Sequence, residues 1–203
     1  MTKYIVISLL AGVAWGYFFV DPTSACQFEF ISEWALILLL FTVGIELGLN
    51  KQLGKQVSTL PKVTLVVPFV IAGASIISGI LVTPLIGLHP LEGAAVASGF
   101  GWYSLSGLLI AQSYDTALGT LAFISNVIRE LIAIITIPVV ARYFGHLSAV
   151  APGGATAMDV TLPIISRNTN AQTTIAAVYS GTVLSLLVPL IVPLFIKWIQ
   201  LFS

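Results

Sequence analysis

The chain has 203 residues, of which 58% are hydrophobic and 8% charged, and its mean hydropathy is +1.05. Soluble domains are far less apolar and carry about 25% charged residues, so this composition marks an integral membrane protein. Eight basic and eight acidic side chains cancel, which leaves no electrostatic case for nucleic acid or another polyanion as partner. Cys26 is the only cysteine, which excludes an intrachain disulfide and any cysteine-rich metal site.

Lys3 is followed by an apolar run that resembles a signal sequence. It lacks a small-x-small cleavage site and more spans follow, so a retained first helix from Ile5 to Val20 is expected, closed by Asp21-Pro22. Trp15 and Tyr17 suit an interfacial belt. A second span runs from Trp34 to Leu49 and carries Glu46 one turn from its end, where a carboxylate reaches water by snorkelling. After a loop with Lys51, Lys55 and Lys62, a third span runs from Val63 to Leu88. Its small residues Gly73, Ala74, Ser75, Ser78 and Gly79 suit close helix contact.

Leu91 to Gln112 is long enough to cross, but its centre reads Ser98-Gly-Phe-Gly-Trp-Tyr-Ser-Leu-Ser-Gly107. Each glycine costs a helix about 1 kcal/mol relative to alanine, so the stretch predicts helix, turn and second helix. Thr116 to Tyr143 is a further span with Ser125, Asn126, Arg129 and Glu130 in its middle; positions 126, 129 and 130 share one face. Then comes Ala151-Pro-Gly-Gly-Ala-Thr-Ala-Met-Asp-Val-Thr-Leu-Pro163, whose prolines and glycines bracket too few residues to cross a bilayer that needs roughly 20. It is expected to dip in and turn back. Gln172 to Leu201 forms the last span, bent in its second half by Pro189 and Pro193. His89 and His146 stand alone in loops and read as structural.

Short cytoplasmic loops carry the excess of Lys and Arg, so the Lys51, Lys55, Lys62 loop belongs inside. If Leu91 to Gln112 turns back instead of crossing, Asp115 stays outside and Arg142 lies inside. Treating the Asp159 segment the same way keeps Arg167 inside and leaves Lys197 as the one misplaced base. The fold expected is therefore an all-α integral membrane protein in a single transporter domain over residues 1–203. It has about five transmembrane helices and two opposed re-entrant hairpins, near 89–115 and 148–168.

Hairpins entering from opposite faces put their tips near the midplane, where transporters bind substrates at interrupted helices. The tip from Trp102 to Gly107 is expected to meet the tip from Thr156 to Thr161. Tyr103, Ser104, Ser106, Thr156 and Thr161 then offer hydroxyls, with Asn126, Arg129 and Glu130 beside them. An acid among apolar residues at membrane depth is functional by default, which makes Asp159 the leading site residue. One cavity holding Arg129, Asn126, Glu130 and Asp159 suits a zwitterion, with Arg129 gripping a carboxylate and an acid facing the ammonium group. Arg129 also has a structural alternative, as the counter-charge of Asp159 or Glu130.

At Gly99-Phe-Gly-Trp-Tyr-Ser-Leu-Ser-Gly107, Asn126-Val-Ile-Arg-Glu-Leu-Ile-Ala-Ile134 and Gly153-Gly-Ala-Thr-Ala-Met-Asp-Val-Thr-Leu-Pro163, the chain resembles the bacterial lysine exporter family LysO. The three motifs stand in one order across essentially the whole chain. The resemblance implies export of L-lysine and its toxic analogues across the cell inner membrane by a multi-pass protein, with the family's intramembrane acid at Asp159. Longer family members carry a further amino-terminal block with another functional acid, for which Glu46 could substitute. The expected partners are a second copy of the chain or a small membrane protein supplying those helices, docked on faces such as Gly73 to Gly79.

The leading function is secondary active transport driven by antiport of H⁺ or Na⁺ through Asp159, with no cofactor beyond that coupling ion. No nucleotide-binding motif suggests ATP use. A channel or scaffold subunit is the alternative. An intramembrane hydrolase built on Tyr103-Ser104 and Asp159 lacks an intramembrane histidine as base and a second aspartate at depth, so no enzymatic activity is expected.

Overall fold

The computed structural model describes residues 60–202, together with single positions 11, 15, 34, 38, 41 and 45. The chain divides into two compact units, Met1–Ile45 and Glu46–Ser203. In the first, Trp34, Leu38, Phe41 and Ile45 are helical, recur at helical spacing and are all exposed, an apolar stripe on the expected second span. The remainder of the two expected amino-terminal spans, and Glu46, lie outside the described residues.

The second unit is helical, with no strand among the described residues. Helix α1 (Lys62–Val82) runs on as a 3-10 turn over Thr83–Ile86, and Gly87 at φ 77° ends it. Helix α2 (Pro90–Ala97) starts with proline at its first position, where the missing N–H costs nothing. His89 caps it: its Nδ1 accepts from the Leu91 N–H, while Glu92 accepts from the His89 N–H at 2.8 Å. Five residues later α3 (Tyr103–Ser113) begins, and then α4 (Thr116–Tyr143), whose N-cap Asp115 accepts from the Leu118 N–H at 2.7 Å. A 3-10 turn, Leu147–Ala149, leads to the four-residue α5 (Val150–Gly153) and a second 3-10 stretch, Gly154–Met158. Helices α6 (Leu162–Asn168) and α7 (Ala171–Phe202) complete the chain. Helix α7 stays unbroken through Pro189 and Pro193.

Among the described residues, three helices are long and apolar enough to cross a membrane: Lys62–Ile86, Thr116–Tyr143 and Ala171–Leu201. The eight residues of α2 and eleven of α3 reach only roughly 12 and 16 Å, half of a 30 Å hydrocarbon core. They form a hairpin closed at its mouth, where the Tyr114 hydroxyl donates to Glu92 at 2.8 Å. At the mouth of the second hairpin, Asn168 lines one pocket with Arg142 and His146. The ends of α7 fix the two faces. Its first turns lie beside the start of α1, where the Tyr179 hydroxyl donates to Leu65 O, and near its far end Gln200 donates to Ser113 O at the mouth of hairpin 1. The hairpins therefore enter from opposite faces. Helix α1 followed by hairpin 1, and α4 followed by hairpin 2, are the same pattern with opposite sense.

Small residues allow these elements to approach closely. Gly79 of α1 crosses Gly93 of α2 in backbone contact, and Ser75 donates to Ala97 O at 3.0 Å. Part of the small-residue face expected to receive a partner is thus already covered by hairpin 1, while the space beside Gly73 is open. The outward sides of α1, α4 and α7 are apolar and exposed, as at Val70, Leu81, Ile135 and Leu190. That is the surface of a protein whose solvent is lipid.

Candidate functional site

Helix α4 carries a buried stripe, Gly119, Ala122, Asn126, Glu130, Ala133 and Ile137, spaced three and four residues apart. Both hairpin tips reach its middle. They touch directly: the Ala155 N–H donates to Phe100 O at 2.8 Å. Contact therefore falls on Phe100 and Ala155, just ahead of the stretches expected to begin at Trp102 and Thr156, because the chain reverses where the backbone turns left-handed. In hairpin 1 that is Phe100 at φ 49° and Gly101 at φ 103°; in hairpin 2 it is Gly154 at φ 59°. Phe100 has a Cβ and is wholly buried, so holding it there costs on the order of 1–2 kcal/mol, which the surrounding packing offsets.

Asn126 fixes the first tip. Its Oδ1 accepts from the Gly101 N–H at 2.8 Å, and its amide nitrogen donates to Ala122 O at 2.9 Å and Val96 O at 3.4 Å. The buried hydroxyls are stitched into their own hairpins. Ser106 donates to Trp102 O at 2.8 Å, Thr156 to Gly153 O at 2.8 Å, and Thr161 to Thr156 O at 3.0 Å. Ser104 is exposed. Tyr103 is buried and packs edge-on against Phe123, with ring centroids 5.3 Å apart.

Glu130, on the next turn of α4, is 2% exposed, and Asp159 is exposed at the turn between the second 3-10 stretch and α6. Both carboxylates lie within electrostatic reach of the Tyr103 phenol. A carboxylate as buried as Glu130 must be met by a proton, a cation or hydrogen bonds, because its bare charge is too costly at that depth. Among the described residues, no group of His, Cys, Asp and Glu is arranged to hold a metal ion.

Arg129 lies on a different flank. With Ser125 and Asn126 it lines a cleft of about 520 Å³ between α1, hairpin 1 and α4, into which neither Glu130 nor Asp159 faces. Its guanidinium rests against both tips: a Cβ placed on Gly154 would meet Nη2 at 2.6 Å, and one on Gly101 would meet Nη1 at 3.8 Å. The expected zwitterion site is thus divided, with the cation on one flank of α4 and the acids near Tyr103.

Sequence reasoning missed two residues that build this site: Phe100 carries the tip-to-tip bond, and Gly181 of α7 lets Met158 and Ala155 pack against the helix with no room for a Cβ. Asn126 was expected at the site, but as a ligand group and not as the backbone lock it forms. The run Gly99-Phe-Gly101 is the one signal that could have located Phe100.

Interrupted helices with tips of small residues and a buried acid beside them are the arrangement from which membrane transporters build their sites. The family model "Lysine exporter LysO" matches residues 6–196, and the chain belongs to that family. It is 39% identical to the Escherichia coli lysine exporter LysO over 191 residues, which cover 94% of this chain and 61% of that protein. It is also 34% identical to the "Putative lysine exporter" of Haemophilus influenzae over 162 residues, 80% of this chain and 82% of that one. The chain thus spans about three-fifths of the length of the Escherichia coli relative. No solved structure matches it.

Proposed function

We propose that this chain exports L-lysine and its analogues across the cytoplasmic membrane as a secondary transporter, with the crossing of the two hairpin tips as its substrate and ion site. The observation that carries this reading is the Ala155–Phe100 bond at the middle of α4, beside the buried Glu130, in a chain whose relatives are named lysine exporters. Irregular backbone at mid-depth supplies carbonyls for a cation, and Glu130 and Asp159 supply negative charge for a lysine ammonium group or a coupled H⁺ or Na⁺. Antiport follows if one acid must exchange the coupling ion for the substrate.

The same reading sets the orientation. Lys62, Arg142 and Arg167 lie at the face into which hairpin 2 opens, and Glu92 and Asp115 at the face of hairpin 1, so the positive-inside rule puts hairpin 2 on the cytoplasmic side. With the two spans expected before residue 60, the chain crosses five times. The exposed Asp159 turn needs cover from lipid, and a second copy or a small membrane protein would give it. Sizing by light scattering in mild detergent should then show more than one chain per particle, and an active monomer in liposomes would refute assembly.

Reconstitution with labelled lysine is the central test. Saturable flux that responds to an imposed pH or sodium gradient is expected. Ohmic conductance would establish a channel instead, and absence of flux a subunit of some other complex.

A further inference from the structure

Among the described residues, no acidic side chain lines the cleft between α1, hairpin 1 and α4. Ser125 and Arg129 both line it and stand one helical turn apart, so their side chains lie one above the other on the same face. The Asn126 amide nitrogen already donates to two carbonyls, and Ser75 and Ser78 each donate to one. Arg129 differs. Among the described residues, its buried Nη1 has no hydrogen-bond partner, and Nη2 donates to Ala151 O at 3.5 Å, the limit of a hydrogen bond. No carboxylate among the described residues pairs with it. Glu130, its neighbour in sequence, points about 100° away around the helix axis.

A guanidinium is always charged, presents five N–H donors in a planar fork, and is costly to bury without an acceptor. The walls near it, including Ile71 and Leu121, are apolar, which strengthens its pull on any anion that enters. We infer that Arg129 and Ser125 form a site for a small monovalent anion, a carboxylate or a halide, in the cleft between α1 and hairpin 1. The anion has two possible sources. One is the carboxylate of the substrate itself, which rests on the lysine-export reading; the other is a free anion, which does not.

The test uses the full chain in nanodiscs, with Cys26→Ser to remove the native thiol and Ser78→Cys as a reporter in the cleft wall. Chloride, acetate and L-lysine are compared with cadaverine, which is lysine without its carboxylate, and thiol labelling rates are read. At least one anion should slow labelling, and Arg129→Gln should weaken its apparent affinity by about tenfold or more, as expected for a charge-assisted hydrogen bond. Ser125→Ala should weaken it less. Protection by lysine but not cadaverine assigns the site to the substrate carboxylate. Protection by chloride or acetate to which lysine adds nothing assigns it to a free anion. Labelling indifferent to all of these with Arg129 intact overturns the inference without any need for Arg129→Gln to fold, and so does protection that survives Arg129→Gln. Lysine flux measured in parallel separates the two readings: flux without anion protection removes the site alone, and protection without flux removes the exporter alone.

Discussion

Hairpin 1 and hairpin 2 reach the same level of α4 by different means. Hairpin 1 has two regular α-helical limbs, a side-chain bond between Tyr114 and Glu92 across its mouth, and a tip locked from outside by Asn126. Hairpin 2 has a four-residue α-helix between two 3-10 stretches, then the seven residues of α6, and its Thr156 and Thr161 hydroxyls bond locally to its own carbonyls. A regular limb satisfies its backbone by itself. An irregular one leaves carbonyls and N–H groups for other partners, and in this chain the irregular one also holds Asp159. On the proposed function, hairpin 1 takes the part of a frame and hairpin 2 the part that handles charge.

The largest effect expected from this division is on transport. Asp159→Asn keeps volume and hydrogen-bonding capacity but cannot exchange a proton, so it should abolish lysine flux while the protein still inserts. Ser106→Ala in hairpin 1 removes one local bond to Trp102 O and should leave most flux in place. Normal flux from Asp159→Asn at normal expression, or its loss from Ser106→Ala alone, would reverse the roles of the hairpins.

Next come the two tip glycines. A Cβ at Gly154 would run into Phe100 O and lie 2.6 Å from the Arg129 guanidinium, on top of a left-handed backbone, whereas one at Gly101 meets nothing closer than 3.5 Å. Gly154→Ala should therefore cost more than about 2 kcal/mol and lower the yield of folded protein, and Gly101→Ala about 1 kcal/mol. Thermal unfolding in detergent measures both; equal losses would mean that the tips are not packed as unequally as their contacts indicate. Between these falls Asn126→Ala, which strands the buried Gly101 N–H at about 1–3 kcal/mol. Asn126→Asp retains the acceptor oxygen and tests whether that bond is the cause, at the added cost of a charge in the bundle.

Much of this frame was legible in the sequence because its signals are local. The apolar run from Thr116 to Tyr143 gives α4 at its observed bounds, the prolines and glycines of residues 151–163 bracket the second hairpin, and the glycine run before Gly107 breaks one apolar stretch into two. The site was less legible because it depends on which helix flank meets which hairpin. Spacing alone groups 126, 129 and 130, yet the crossing of α4 with hairpin 1 turns Asn126 onto a backbone N–H, leaves Arg129 in the cleft toward α1 and buries Glu130. Gly181 was invisible for the same reason, since nothing near it in sequence tells that Met158 will pack there.

The smallest effect belongs to the mouth of hairpin 1. Tyr114 donates to Glu92 at the protein surface, and that hydrogen bond, with a smaller contribution from burial, raises the phenol above its ordinary value of 10.0. A raised pKa in the folded state means that the bond contributes fully below pH 10 and is lost as pH climbs through the higher folded value. Because the pair is exposed, solvent screening limits its worth to less than about 1 kcal/mol. Tyr114→Phe should therefore lower the unfolding temperature by only a few degrees near neutral pH, with the gap from wild type closing above pH 10. Flux should barely change if the frame is held mainly by Asn126 and by the packing of Gly107 against Gly119. A large loss of flux from Tyr114→Phe, with the unfolding temperature preserved, would instead make the mouth of hairpin 1 a moving part and remove its role as the fixed half of the pair.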